Sequence, residues 1–202
     1  MENVFIFGSN GQDGQLLTSL LENDSYKYNL ILFSRNKVVL KTKSKIKEFS
    51  INNNFEYIEI INRLFAEFNP NLIFYFAAIH FSALEEVKIK NKVDIDSMIF
   101  TNYFLPTYII NFLEINSLKS KFLYTSSSLI FSNSDQTPQD EKTKRKPSCI
   151  YSKQKVMFEN FVVNLNTNLL DTYIAIVYNH ESIYRKSKFF TKKVISFCSE
   201  FR

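Results

Sequence analysis

Glycine is nearly missing from this chain. Its 202 residues include 3, where average usage of about 7% would give roughly 14, so a glycine is kept only where a side chain cannot be. Cysteine is scarce too. Cys149 and Cys198 are too few for a disulfide scaffold, and no Cys-x-x-Cys pair offers a metal site, so both read as ordinary thiols and no metal is expected. No stretch approaches the roughly 18 apolar residues of a membrane span. The N-terminus, Met1-Glu2-Asn3 followed by a short apolar run, has neither the basic region nor the cleavage site of a secretory leader. These absences lead to an expectation of a cytoplasmic protein with no membrane contact.

What is abundant is aromatic. With 21 Phe, 11 Tyr and a 45% hydrophobic fraction, the composition is that of a folded globular domain with an aromatic core rather than a disordered chain. The length suits a single domain over residues 1–202. The net charge of +5 is modest, with basic residues gathered at Lys41 to Lys47, Lys142 to Lys155 and Arg185 to Lys193. Such runs form a solvated face or attract a phosphorylated small molecule. No nucleic-acid-binding motif accompanies them, so a nucleic-acid partner is not expected.

Short apolar runs rich in Val, Ile, Phe and Tyr recur at Asn3–Gly8, Asn29–Ser34, Asn71–Ala77, Lys121–Ser127 and Asp171–Asn179, each the length of a buried strand. A weaker strand, interrupted by charge, is expected near Lys45–Ile51. Segments with helical spacing lie between them, near Gln15–Glu22, Ile58–Phe68, Asp94–Glu114 and Tyr151–Leu165. Strand alternating with helix predicts an α/β fold, a Rossmann-type doubly wound parallel sheet with helices on both faces. The polar segment Ser132–Ser148, carrying Pro138 and Pro147, reads as a long loop inside that domain.

All three glycines fall in one turn, Gly8-Ser9-Asn10-Gly11-Gln12-Asp13-Gly14, between the first strand and the first helix. The pattern predicts a tight turn, close backbone approach to a phosphate and close packing of helix on strand. Backbone N–H groups and the positive helix end would then hold the pyrophosphate of NAD or NADP; a plain turn is the alternative. After the second strand comes Arg35, where an NAD-specific protein would usually place an acidic residue. An arginine there suits the 2′-phosphate of NADP, unless it is only a surface charge. The expected cofactor set is Gly8, Asn10, Gly11, Gln12, Asp13, Gly14, Arg35 and Ala77, with Tyr151 and Lys155.

The strand Phe122-Leu123-Tyr124 runs into Thr125-Ser126-Ser127-Ser128 at its C-terminal end, where open α/β sheets place ligands. Further on, Tyr151 and Lys155 stand one helical turn apart on a shared face. Together they can relay a proton: the lysine cation favours a tyrosinate, which takes the proton of a sugar hydroxyl, while Ser127 hydrogen-bonds the same oxygen. Tyr184 and Lys188 share the spacing without the serine-bearing strand before them. Without the glycine loop either pair would read as surface residues.

Taken together, these motifs resemble those of the extended short-chain dehydrogenase/reductases, and within them GDP-mannose 4,6-dehydratase and its nucleotide-sugar relatives. Pro138-Gln139-Asp140-Glu141-Lys142-Thr143, Asn179-His180-Glu181-Ser182, Arg185 and Phe189-Phe190-Thr191-Lys192-Lys193 complete the set, in family order along the whole chain. The resemblance implies an NADP-bound enzyme that oxidises C4 of a nucleotide-linked sugar, eliminates water across C5–C6 and returns the hydride to C6. It also implies Ser127, Tyr151 and Lys155 as catalytic residues, and Ser127, Asn179 and Lys193 as residues that contact the nucleotide-sugar. His180 reads as a structural, hydrogen-bonded histidine rather than an acid or base. The same caution covers His80, which matches no family motif.

Two departures modify those implications. Leu129 stands where the family carries a glutamate that removes the C5 proton, and leucine has no acid–base chemistry. The resemblance also implies a longer chain, so most of a C-terminal substrate domain is expected to be absent from this one, as in a fragment. A 4-epimerase or ketoreductase, needing only Ser127, Tyr151 and Lys155, is one alternative. A catalytically silent cofactor-binding protein is another. Segment Asp94–Glu114 carries Met98, Ile99, Phe100, Phe104, Leu105, Ile109, Ile110, Phe112 and Leu113, enough apolar surface either for a homodimer interface or for an internal core helix.

Overall fold

A computed structural model of the chain describes residues 1–24, 26–41, 46–80, 92–132, 134–185, 187 and 189–200, with the side chains of 92–94 excepted. Parts of two basic runs, Lys45 of the expected strand and Lys188 lie outside the described residues. In order, the elements are β1 (Glu2–Phe7), α1 (Gln12–Glu22), β2 (Tyr28–Ser34), β3 (Lys37–Lys41), β4 (Ile46–Ser50), α2 (Asn54–Phe68), β5 (Leu72–Tyr75) and α3 (Lys92–Ile99). A π-helical turn (Phe100–Phe104) leads into α4 (Leu105–Ile115), then β6 (Ser120–Ser127), a 3₁₀ turn (Ser128–Phe131), α5 (Ile150–Val163), β7 (Leu170–Val177) and α6 (Phe190–Glu200).

The strands form a seven-stranded sheet in the order β4-β3-β2-β1-β5-β6-β7. Five of them, β2, β1, β5, β6 and β7, are mutually parallel. The chain winds outward from β1 to β2 and returns on the other side at β5, so the topology reverses between β1 and β5, the place where such sheets bind ligands. The doubly wound parallel sheet expected from the sequence is present, and an antiparallel pair extends it at one edge. Ser34 and Lys37 close an antiparallel pair of β2 with β3, and β3 pairs antiparallel with β4. Val38 and Leu40 are buried while Lys37 and Lys41 flank them, so this short strand alternates as a sheet edge does.

Alternation along β1 divides the core. Phe5 and Phe7 face α2, α4 and α5 in the larger cluster, with Ile31, Phe33, Tyr75, Phe122 and Tyr124 of neighbouring strands. Val4 and Ile6 face the other side with Leu30 and Leu32, under Leu17 and Leu21 of α1. The larger face is an aromatic ladder across the sheet. Phe33 and Phe7 stack at 4.3 Å, Phe7 and Tyr75 at 5.4 Å, Tyr75 and Tyr124 at 5.8 Å, and Tyr124 meets Phe158 of α5 at 4.1 Å. Such ring pairs each contribute roughly 0.5–1.5 kcal/mol beyond their area burial. Many of the chain's Phe and Tyr residues lie on this face.

The single helix expected over Asp94–Glu114 is three pieces. The π turn at Phe100–Phe104 leaves backbone carbonyls outside the α-helical ladder, and core tyrosines reach two of them: Tyr75 Oη donates to Thr101 O at 2.5 Å and Tyr124 Oη to Asn102 O at 2.8 Å. Leu105, Ile109, Ile110 and Leu113 are buried, whereas Ile99 and Phe104 are exposed. The segment is thus a core helix along one side with apolar residues also on its open side. Helix α6 has no buried residue.

Candidate functional site

Because β2, β1, β5, β6 and β7 are parallel, their C-terminal ends share one edge of the sheet. Gly8 follows β1, Arg35 follows β2, Ala77 follows β5, Ser127 ends β6 and Asn179 follows β7. All the sequence-predicted residues on strand ends therefore reach one rim, with Tyr151 and Lys155 on α5 behind β6.

Gly8 and Gly14 are where the loop's geometry demands glycine. Gly8 has φ +84°, and a Cβ there would stand 2.7 Å from Ala77 N; a Cβ on Gly14 would stand 2.4 Å from Gly8 O. No side chain fits either place without moving backbone. Ala77 thus lies against the loop across the β1–β5 reversal. Gly11 is the N-cap of α1 and offers no side-chain cap, so the first-turn amides are not closed off by the helix's own cap. An uncapped helix start on a tight glycine turn suits a diphosphate. Gln12 carries a buried Oε1 that lacks a hydrogen-bond partner. Asn10 is exposed, its carbonyl accepting from Gln15 Nε2 at 3.0 Å. Arg35 is exposed in the β2–β3 turn.

At the end of β6 the polar cluster assembles as its spacing predicts. Cys149 caps α5 through a reciprocal bond with Ser152, which sets the helix start so that Tyr151, Ser152, Gln154, Lys155, Phe158 and Glu159 are buried. Burial pushes the Tyr151 hydroxyl up to about 12, and the hydrogen bond from Ser127 pulls the other way. Ser127 also accepts Leu129 N–H at 3.3 Å. Lys155 is wholly buried, and desolvation holds its ammonium down to about 7 against the opposing charge of Glu159. Its Nζ donates to Thr125 O at 2.8 Å and lies 4.3 Å from the Tyr124 ring centre and 5.5 Å from that of Tyr151. The aromatic ladder thus ends under the lysine, where ring faces attract a cation.

Sequence reasoning did not single out the polar network behind Lys155. Glu159 accepts from Ser126 Oγ and from Arg145 Nε at 3.0 Å, and Arg145 also donates to Thr143 O at 3.0 Å and to Glu141 O. This ties the Ser132–Ser148 loop to α5 one residue from Ser127. The signal was available, since Glu159 lies one helical turn beyond Lys155 on the face that carries Tyr151. A second feature is Asn102, fully buried on the π turn. Its side chain accepts Ile79 N–H at 2.9 Å, donates to Ile79 O at 2.9 Å and donates to Gln154 Oε1 at 2.8 Å. His80 follows this clamp, exposed, with its ring edge-to-face on Tyr151 at 4.6 Å and 74°.

The segment after β7 folds back onto the glycine loop. His180 Nε2 pairs with Asp13 Oδ1 at 2.7 Å, its Nδ1 meets Tyr178 O at 2.7 Å, and Gln12 Nε2 donates to His180 O at 3.2 Å. The Tyr178 carbonyl and the Asp13 carboxylate hold the imidazole above its ordinary value. His180 is thus hydrogen-bonded through both ring nitrogens. Asn179 is exposed beside it, and Lys193 is exposed on α6.

A parallel sheet with a glycine turn at its reversal point and a Ser-Tyr-Lys cluster at the end of β6 defines the chain as a Rossmann-type member of the extended short-chain dehydrogenase/reductases. The family model for GDP-mannose 4,6 dehydratase matches residues 5–202, and the chain belongs to that family. Among curated proteins no sequence matches. Solved structures share the fold at low identity. A dTDP-glucose 4,6-dehydratase from Bacillus anthracis in complex with NAD superposes with TM-score 0.71 at 16% identity, covering 100% of this chain and 63% of that one. A dTDP-4-dehydrorhamnose reductase from Bacillus anthracis in complex with NADP gives 0.59 at 21%, covering 86% and 52%. A UDP-glucose 4-epimerase from Brucella ovis in complex with NAD gives 0.61 at 16%, covering 81% and 47%. The chain therefore spans less than two thirds of the length of each of these structures.

Proposed function

We propose that this chain binds NADP along Gly8–Gly14 and acts on a nucleotide-linked sugar in the manner of GDP-mannose 4,6-dehydratase. The observation that carries this reading is the Ser127–Tyr151–Lys155 cluster at the rim that also holds the glycine turn. Structures sharing the fold were solved with NAD or NADP, and Arg35, exposed at the end of β2, selects NADP through a charge-assisted contact with the 2′-phosphate.

The bound dinucleotide supplies the acceptor and donor of hydride. The rest falls to this chain's own side chains. Tyr151 takes the proton of the sugar's C4 hydroxyl. In the ligand-free site its hydroxyl sits at about 12, too high to be ionised near neutrality, so its activation depends on Ser127 and on the positive charge of Lys155. The charge of Glu159 works against the desolvation of Lys155 and so favours the ammonium. Asn179 and Lys193 hold the nucleotide diphosphate, with Ser127 at the sugar. A pair of such chains related by a two-fold axis, with α4 and α5 at the contact, forms the homodimer.

Leu129, exposed beside Ser127, favours a second reading in which the chain performs 4-epimerisation or keto reduction, since neither needs a carboxylate there. Two measurements test the proposal. Titration of NADPH and NADH against the protein, followed by nicotinamide fluorescence, is expected to show tighter NADPH binding. Incubation with NADP and GDP-mannose or UDP-glucose, analysed by mass spectrometry and chromatography, separates loss of water from epimerisation. Failure to bind either dinucleotide would refute the reading.

A further inference from the structure

Tyr151 serves one oxygen of the sugar, and Leu129, after β6, offers no acid or base to the carbon next to the future ketone. Another side of the site comes from residues 76–80, which follow β5. There His80 places an exposed imidazole edge-to-face on the Tyr151 ring at 4.6 Å. Its position is built rather than incidental. Asn102, buried on the π turn, bonds both the N–H and the carbonyl of Ile79 and is itself bonded to Gln154. Gln154 lies on α5, within a turn of Tyr151. A π turn that forces one side chain inward is a common device at functional sites. Here it fixes the residue before His80 against the helix that carries Tyr151.

We propose that His80 is the proton-transferring residue for the carbon adjacent to the sugar ketone, in the place that Leu129 cannot fill. The inference rests on the proposed function. The neutral imidazole takes the C5 proton: the C5–H bond breaks, an N–H bond forms, and the electron pair moves into the C4 carbonyl as an enolate. Where C6 carries a hydroxyl, the pair returns to form C5=C6 and expels that hydroxyl, which leaves as water with the same proton. The imidazole is then neutral again.

The test supplies the ketone directly, so that no hydride transfer is required. The protein with bound NADP is mixed in D₂O with GDP-4-keto-6-deoxymannose, and separately with UDP-4-keto-6-deoxyglucose, and deuterium entry at C5 is followed by NMR. The unaltered chain is expected to accelerate exchange over buffer. His80→Ala is expected to lose the acceleration by about 10²-fold or more, the range of a missing general base, and added imidazole to restore a part of it. NADPH affinity is expected to be unchanged. Should H80A not fold, H80N is read in the same way. Exchange that survives H80A or H80N overturns the assignment, as does a loss that imidazole does not restore. No exchange in the unaltered chain also overturns it; if NADPH still binds in that case, the proposed function stands and His80 alone falls.

Discussion

Lys155 is buried and, among the described residues, makes no salt bridge, and the consequence is a pH-dependent stability that a single substitution isolates. An ammonium near 10.4 in the unfolded chain is held down to about 7 in the folded one. Between those values the unfolded state binds the extra proton, so stability rises with pH through that window; below it Lys155 is charged in both states and the full desolvation cost is present. Integrating the two titrations between about pH 6.5 and about pH 9.5 gives roughly 3 kcal/mol. Lys155→Met removes this group while nearly keeping its volume. It also gives up the bond to Thr125 O and the contact with the Tyr124 ring. Other titrating groups are common to both proteins, so urea unfolding of each at the two pH values isolates the lysine as a difference of differences. The expected result is that unaltered protein gains about 3 kcal/mol relative to K155M on going to the higher pH. Parallel stability profiles would refute the reasoning and mean that Lys155 keeps an ordinary ammonium when folded.

Further outcomes follow from the other parts of the site. Gly14→Ala places a methyl 2.4 Å from Gly8 O; it is expected to abolish NADPH binding in a fluorescence titration and to lower the urea midpoint. Arg35→Ala is expected to bring the NADPH and NADH dissociation constants closer together by weakening the first about tenfold, the loss of one charge-assisted hydrogen bond. For His180 the folded imidazole is raised by the Tyr178 carbonyl and Asp13. Its contribution to stability is therefore complete below its unfolded value and is lost as pH rises through the higher folded one. His180→Asn should remove that component from a plot of melting temperature against pH. Sedimentation velocity at increasing concentration is expected to show a dimer, and Phe104→Glu, on the exposed side before α4, to return it to monomer.

How far the sequence could be read depended on whether a feature was local. The glycine turn was legible because three glycines in a glycine-poor chain all fall where one strand meets one helix. Tyr151 and Lys155 were legible because helical spacing fixes their common face. Of the antiparallel edge, β4 was expected near Lys45–Ile51 but β3 was not, since a strand as short as Lys37–Lys41 carries little periodic signal. Nor was the π turn. Phe100–Phe104 continues the apolar spacing of its flanking helices, and what distinguishes it is the pair of tyrosine hydroxyls arriving from β5 and β6. His80 could be listed but not placed, because its position depends on Asn102, far from it along the chain.

Those non-local links join the core to the chemistry. Tyr75 and Tyr124 are rungs of the aromatic ladder, and burial holds both hydroxyls protonated. Each must therefore donate a hydrogen bond or leave a buried polar group unsatisfied. The carbonyls that accept are those the π turn leaves outside the helical ladder, so each partner satisfies the other's need. With the turn held there, Asn102 points inward to Ile79 and Gln154, which sets the loop bearing His80 against the helix bearing Tyr151. The Tyr124 ring meanwhile faces the Lys155 ammonium. Phenylalanine at either tyrosine position would preserve the stacking and lose the tether. The hydroxyls therefore bear on the site more than on the core, and they couple the geometry around Tyr151 to β5 and β6.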